Sequence, residues 1–446
     1  MIRNLGSTAI AVFYCLSSVT VYGQIGGGGG FGGPSVMGRG QQAGQRGGES
    51  TRLRGFVALE GIYDSGLTTI TPQGVSAATG AGGVETRWGA YGSKSLRRSA
   101  FGLDYQGDYR HYNNATLWNG SSQTLSLSYS AQPFRHASFD VSAIAGSTNR
   151  AYGVNTGGLN LGGTLSQLAQ PTTSLFDVRT NYLGGTGSMT LIHSSRLSSN
   201  YTGSGFSVRR RNRLPGVTAV TGRADVSYRL GKRSTIGMDV SYYKFDYTNS
   251  FGDTNVIDPG LLFSSRVGRN FELGLRVGVM RIESFGVKQV SFSPEVAALL
   301  GSGQTSEIFY LRTHQASGGL QLTRRFKRGS VNATGQIAPN PGNGLLFASR
   351  QLMANVNGSW SLNRRTTFSA MGGTTRLRSV TSVAGAYEQY MFGGGISYKL
   401  TRSLDLISRV DRRVARIESI RGIGLNGTRF TAGIAFSPSD VPLQLW

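Results

Sequence analysis

Cysteine is nearly absent from this sequence, which holds one such residue, Cys15, among 446. Cys15 lies in an N-terminal stretch that we expect to be removed, so the mature chain would form no disulfide bond and no thiolate metal site. After that stretch the chain also lacks any apolar run of the ~20 residues that a transmembrane helix needs. Disulfide-stapled domains and helical membrane proteins are therefore excluded.

Hydrophobic residues and acids are also scarce. Only 38% of the residues are hydrophobic, and 22 acids stand against 46 lysines and arginines. In contrast, the chain has 66 glycines, 19 tyrosines and 21 phenylalanines. A soluble protein of this length would need a thick core, whereas strands with one face in water need only half as many apolar residues. The composition therefore favours a β-barrel.

The N-terminus has the layout of a Sec signal peptide. Arg3 is the only charged residue in the first 23, an apolar stretch covers 9–16, and Val21 and Gly23 are small enough to precede a cleavage site. We predict a signal peptide over 1–23, a flexible glycine-rich tether over 24–49, and one β-barrel domain over 50–446.

A period of two recurs from residue 50 onward. In the segment 101–110, apolar or aromatic residues at odd positions alternate with polar residues or glycine at even positions. The same alternation predicts that Leu103, Val226, Val240 and Val277 face lipid. Short basic turns, such as 231–234 and 363–366, join pairs of strands, and longer connections follow, the longest near 148–172, 198–220 and 286–314. This rhythm predicts about eighteen strands, with sixteen or twenty as alternatives.

These features together resemble the Gram-negative outer-membrane β-barrel proteins, including the porins. The resemblance implies a closed, antiparallel, up-and-down transmembrane barrel that is exported by the Sec pathway and inserted into the outer membrane by the barrel-assembly machinery. It also implies contact with outer-membrane lipid and lipopolysaccharide. A soluble propeller is the competing interpretation, but the sequence shows no blade repeat of about 40–50 residues.

Strand parity places a mixed set of charges inside the barrel, nine acids and seven arginines, although the formal net charge is +24. The predicted pore-lining residues are Asp104, Asp108, Arg110, Asp140, Asp177, Arg179, Arg223, Asp225, Arg229, Asp239, Glu272, Arg276, Asp405, Arg409, Asp411 and Arg413. The surplus of cations falls in turns and loops, where arginine can bind lipid phosphate. We therefore expect no nucleic-acid partner.

No catalytic motif is present. His193 and Ser195 are predicted to share a strand face, which faintly resembles the histidine and serine of outer-membrane lipid deacylases, but no orienting carboxylate accompanies them. A chance pairing explains them better, and we expect neither enzymatic activity nor a metal or cofactor.

The leading functional hypothesis is a porin-like channel or transport barrel for small polar solutes. A pore for polysaccharide export and a plugged structural or adhesive barrel are the alternatives. Either of two loops, 148–172 or 286–314, is expected to narrow the pore, the latter through a short helix capped by Ser293 and Pro294. An ordinary surface loop is an equal alternative for both. The oligomeric state is not predicted.

Overall fold

The computed structural model describes residues 54–67, 70–71, 74–75, 79–115, 118–148, 179–210, 216–248, 252–291, 304–342, 347–380, 386–417 and 424–438. Within these ranges the chain forms eighteen long strands and one small hairpin, β2–β3. The first strands are β1 (Arg54–Leu67), β2 (Ile70–Thr71), β3 (Gly74–Val75), β4 (Thr79–Ser95), β5 (Ser99–Tyr112), β6 (Gly120–Phe134), β7 (Ala137–Thr148), β8 (Thr180–Ile192), β9 (Leu197–Arg210) and β10 (Gly216–Arg229). The others are β11 (Ser234–Thr248), β12 (Gly252–Val267), β13 (Phe271–Ser291), β14 (Gln304–Phe326), β15 (Gly329–Gly342), β16 (Phe347–Ser361), β17 (Thr366–Ser379), β18 (Ala386–Lys399), β19 (Leu404–Ile417) and β20 (Gly424–Phe436).

The eighteen long strands form one antiparallel sheet that closes on itself. Each strand pairs with the long strands before and after it in the chain, and β1 pairs with both β4 and β20. Closure leaves no unpaired strand edge, which is the condition for a sheet to lie in hydrocarbon, because an unsatisfied backbone group there costs several kcal/mol. The predicted fold class and the strand number of eighteen are both confirmed.

The connections differ sharply between the two ends of the barrel. At one end, eight short turns join β4 to β5, β6 to β7 and so on to β18 and β19. Local hydrogen bonds fix these turns: the Asn363 side chain accepts from the backbone N–H groups of Arg365 and Thr366, and Gly268 adopts a φ of 71°. The other end carries the longer connections.

Side chains alternate between an inner and an outer face. On β13, Val277 is 60% exposed on the outer face, whereas the preceding Arg276 is nearly buried on the inner face. Val226 and Val240 are likewise exposed, as lipid-facing residues should be. Near the short turns, the outer face carries a band of aromatic residues, among them Phe139, Tyr228, Trp360, Phe368, Tyr398 and Phe436. Among the described residues, no helix is long and apolar enough to cross a membrane.

Several predicted boundaries are wrong. The segment 198–220 was expected to be a long loop, but β9 runs to Arg210 and β10 starts at Gly216. Likewise, β13 and β14 extend far into the predicted loop 286–314. These segments are rich in small polar residues and charges, and they lack the strong alternation by which strands were recognised. The signal peptide, the tether, most of the loop 148–172 and the capped helix lie outside the described residues.

Candidate functional site

The inner face of the barrel is the candidate site. The strand registers place fourteen of the sixteen predicted pore-lining residues on this face. They are Asp104, Asp108, Arg110, Asp140, Arg223, Asp225, Arg229, Asp239, Glu272, Arg276, Asp405, Arg409, Asp411 and Arg413. Of the other two, Asp177 lies outside the described residues. Arg179 precedes β8, is exposed, and donates a hydrogen bond from Nε to Ser147 Oγ at 3.1 Å.

Not all fourteen residues are brought together. Arg229 lies at the short-turn end, where its Nε donates to the Gly231 carbonyl oxygen at 3.0 Å. Glu272 also lies near that end and pairs with Arg266 at 2.8 Å. Asp104 accepts from the Gln106 amide at 3.1 Å, and Asp140 forms no ion pair within the described part of the chain. These four residues are separate from the two networks that dominate the inner face.

The first network, which we call the wall network, consists of Arg223, Asp225, Asp239, Asp258 and Arg276 on β10 to β13. Arg276 is its centre: Nε donates to both carboxylate oxygens of Asp239 at 3.0 and 3.1 Å, and Nη1 lies 3.1 Å from Asp258 Oδ2. Arg223 Nε lies 3.5 Å from Asp239 and 3.8 Å from Asp225. Two guanidinium groups thus hold three carboxylates.

Neighbouring polar groups and a glycine complete this network. Ser317 on β14 accepts from Arg276 Nη1 at 3.1 Å and donates to Asp258 at 2.5 Å. Asn200 on β9 donates to Asp225 at 3.1 Å. At Gly260, a side chain would place its Cβ 2.9 Å from the Arg276 guanidinium and from Asp239. A side chain at this position would therefore displace the paired ends of Arg276 and Asp239 from the wall.

The second network, which we call the seam network, crosses the junction where the barrel closes. It consists of Glu60 and Asp64 on β1, Glu85 and Arg87 on β4, and Arg429 on β20. Arg87 lies 3.2 Å from Glu85 and 3.4 Å from Glu60. Arg429 donates to Glu85 and lies 3.9 Å from Asp64, which also accepts a hydrogen bond from the Tyr112 hydroxyl. In this network too, two arginines pair with three carboxylates.

Predicted residues flank this second network as neighbouring ion pairs. On β5, Arg110 Nε lies 3.2 Å from Asp108, and on β19, Arg409 Nε lies 2.6 Å from Asp411. Arg413 donates to the Tyr387 hydroxyl at 3.4 Å. The charged inner surface therefore extends from β19 through the seam to β5.

The two networks lie on opposite walls. In the closed order of strands, β12 is nine strands from β1 in either direction. The wall network centres on β11 to β13 and the seam network on β20, β1 and β4, so the charged groups face each other across the lumen.

Sequence reasoning missed six members of these networks: Glu60, Asp64, Glu85, Arg87, Asp258 and Arg429. Both faces of β1 are largely apolar, because the inner Phe56 and Ala58 alternate with the outer Val57 and Leu59. The strand therefore lacks the alternation of polar and apolar residues that would have identified Glu60 as an inner residue. Arg429 directly precedes Phe430, and continuing the alternation of β20 by one residue would have found it.

An apolar surface occupies another part of the inner face. Phe245, Val256, Met280 and Ile282, on β11 to β13, are each at most 1% exposed and pack in one cluster with Val217 and Phe206. They lie closer to the long loops than the wall network does. These side chains pack against one another and have almost no contact with water.

The histidine and serine singled out from the sequence do not share a strand face, because residues 193–196 form the short turn between β8 and β9. His193 Nε2 instead lies 2.8 Å from Ser199 Oγ. In the described ranges, no group of three or more histidine, cysteine or acidic residues is arranged to hold a metal ion.

The closed barrel with an apolar outer band is the architecture of Gram-negative outer-membrane β-barrels, as the sequence resemblance predicted. No family model and no curated protein matches the chain. Among solved structures, the chain is similar to OccK2 (OpdF) of Pseudomonas aeruginosa, with 10% identity, a TM-score of 0.42, and coverage of 87% of this chain and 100% of that one.

Two further structures are similar at the same level. The BenF-like porin of Pseudomonas fluorescens Pf-5 is 9% identical with a TM-score of 0.40, covering 87% of this chain and 99% of that one. The ferric-catecholate import receptor Fiu of E. coli K12 is 9% identical with a TM-score of 0.42, covering 85% and 81%. These likenesses assign no substrate to the chain.

Proposed function

We propose that this protein is a porin-like channel of the outer membrane that passes small polar solutes. The observation that carries the proposal is the pair of ionic networks on opposite walls of the lumen. A barrel closed by eighteen strands is wide enough to enclose an aqueous path, and fixed charges of both signs along that path lower the cost of moving a polar or charged solute through it.

The inner apolar cluster would form an apolar section of this channel. Solutes entering from the long-loop side meet Phe245, Val256 and Met280 before they reach the wall network. An apolar section of this kind favours small solutes over large hydrated ones. The same proposal implies that the protein is exported, is inserted by the barrel-assembly machinery and resides in the outer membrane.

Conductance in planar lipid bilayers tests the proposal. The full-length barrel should give discrete current steps, and the Asp225→Asn variant should shift the reversal potential in a salt gradient toward anion selectivity, because it removes one lumen carboxylate. Asp225 is suitable because Asn200 and Arg223 already contact it, so the change is local.

Asp246→Asn is the matched control. Asp246 also belongs to a strand of this wall, β11, but faces outward and is about half exposed beside Lys244. It should leave the reversal potential unchanged. Absence of current from the correctly folded protein would refute the channel, and equal shifts from both variants would refute the role of the wall network.

A further inference from the structure

Five arginines lie together on the outer face of β16 to β19, near the long-loop ends of these strands. We call this group the arginine patch: Arg350, Arg376, Arg378, Arg412 and Arg416. Their neighbours along the strands, such as Leu377 and Ala415, are buried on the inner face, so the alternation points the arginines outward. One acid, Glu388, lies among them.

The patch has an excess of positive charge that the described residues leave uncompensated. Arg376 Nε lies 3.0 Å from Glu388 Oε1. Arg350, Arg378, Arg412 and Arg416 form no ion pair within the described part of the chain. Four guanidinium groups are therefore available to an external anion.

Because of the strand register, this excess of positive charge is unfavourable when no anion is bound. Arg350 is directly opposite Arg378 on the neighbouring strand, and Glu388 is directly opposite both Arg376 and Arg416. Like charges that face each other across a strand pair repel, at a separation of about 4.5–5.5 Å between Cβ atoms. An anion placed between Arg350 and Arg378 would turn this repulsion into attraction.

The adjacent part of the same rim is not built in this way. On β11, Lys244 lies 3.8 Å from Asp246. On β13 and β14, Arg281 and Arg312 both pair with Glu283. These three cations have acidic partners close by, in contrast to the four arginines on β16 to β19 that are unpaired among the described residues.

Apolar side chains lie directly below the patch on the outer face. Leu352, Tyr390 and Phe392 are exposed there and continue toward the middle of the barrel. A ligand that satisfies both surfaces has several phosphate groups above acyl chains. Arginine binds phosphate through two parallel hydrogen bonds, and a group of four suits a head with more than one phosphate better than a single phosphodiester.

We propose that the arginine patch binds the phosphorylated head of lipopolysaccharide in the outer leaflet. The long loops mark the extracellular end of such barrels, so the patch lies at the level of that leaflet's head groups. The proposal depends on the barrel fold and its orientation and does not depend on transport through the lumen.

Binding of purified bis-phosphorylated lipid A to the full-length protein in detergent tests this assignment. The Arg350→Gln/Arg378→Gln variant should bind lipid A at least tenfold more weakly than the unsubstituted protein. Arg350→Lys/Arg378→Lys should give an intermediate affinity, because the charge remains and the paired hydrogen bonds are lost. Heat-dependent migration on gels verifies that every variant is folded.

Arg281→Gln/Arg312→Gln is the matched control, with the same charge change on the same rim, and it should alter the affinity less than twofold. The lipid controls are lipid A without phosphate groups, which should not distinguish the variants, and phosphatidylglycerol, which should bind more weakly than lipid A. The assignment is overturned if both double variants lose affinity equally, if neither does, or if phosphatidylglycerol binds as tightly as lipid A.

Discussion

Replacing Arg276 by methionine tests whether the wall network stabilises the barrel. The substitution keeps most of the aliphatic volume and removes a guanidinium group that contacts both Asp239 and Asp258. Asp239 and Asp258 are almost completely buried, so they would remain as charges with little access to water. Removing one partner of a buried ion pair costs about 3–5 kcal/mol.

The contacts that the two carboxylates would keep determine where in this range the loss of stability should fall. Arg223 still lies 3.5 Å from Asp239, and Ser317 still donates to Asp258, so neither carboxylate loses every partner. We therefore expect a loss of about 3 kcal/mol in the free energy of unfolding, the low end for a broken buried pair. Urea titration of the protein folded in lipid vesicles, followed by tryptophan fluorescence, measures it.

Arg281→Met on the same strand is the internal comparison. Arg281 lies on the outer face, its side chain is 38% exposed, and it pairs with Glu283. An exposed pair contributes at most about 1 kcal/mol. If the two substitutions cost the same, or if Arg276→Met costs less than about 1 kcal/mol, then the wall network does not stabilise the barrel as a buried ion-pair network.

Three further predictions follow from the fold. Val277→Arg places a charge on the lipid face and should cost about 2–4 kcal/mol if the residue lies near the middle of the bilayer, whereas Val277→Leu should cost little in the same urea titration. Gly433→Val should prevent closure, because a Cβ at this position would overlap the Leu59 carbonyl oxygen on β1. The variant should lose its heat-resistant compact band on gels, and retention of that band would contradict the register of the seam. A cysteine at Asn114, at the long-loop end, should react with a membrane-impermeant maleimide on intact cells, and one at Lys232 should not; the reverse pattern would invert the barrel.

The fold was predictable where one face of a strand is polar and the other apolar. On β10, β11 and β13, outer valines alternate with inner serine, aspartate or arginine, so the inner face could be assigned from the sequence. The alternation fails on β4, where glycine and other small residues fill both faces, and Glu85 and Arg87 were missed there for that reason.

Asp258 was missed for a different physical reason. It precedes Pro259 and Gly260, a combination that is typical of a turn, yet all three residues lie inside β12. Pro259 is tolerated because it faces outward opposite Val240 on β11. On the other side, Asp258 and Pro259 have no register partner on β13, since the paired residues of β12 pass from Ile257 directly to Gly260. Gly260 lies against the Arg276 ion pair, where a side chain would crowd it, so a residue pair that is typical of a turn here serves the packing of the site. Single-sequence patterns cannot separate these two uses of proline and glycine.

The seam network has a consequence for the order of events in folding. The contact between Arg429 and Glu85 joins residues 344 positions apart, and it crosses over β1 to reach β4. Until the last strand docks on the first, Arg429 lacks both of its carboxylate partners, and Asp64 and Glu85 lack the guanidinium group of Arg429. A nearly complete sheet is therefore electrostatically unsatisfied, and it gains these contacts together in one late step. Such an arrangement makes closure cooperative and disfavours barrels that stop one strand short.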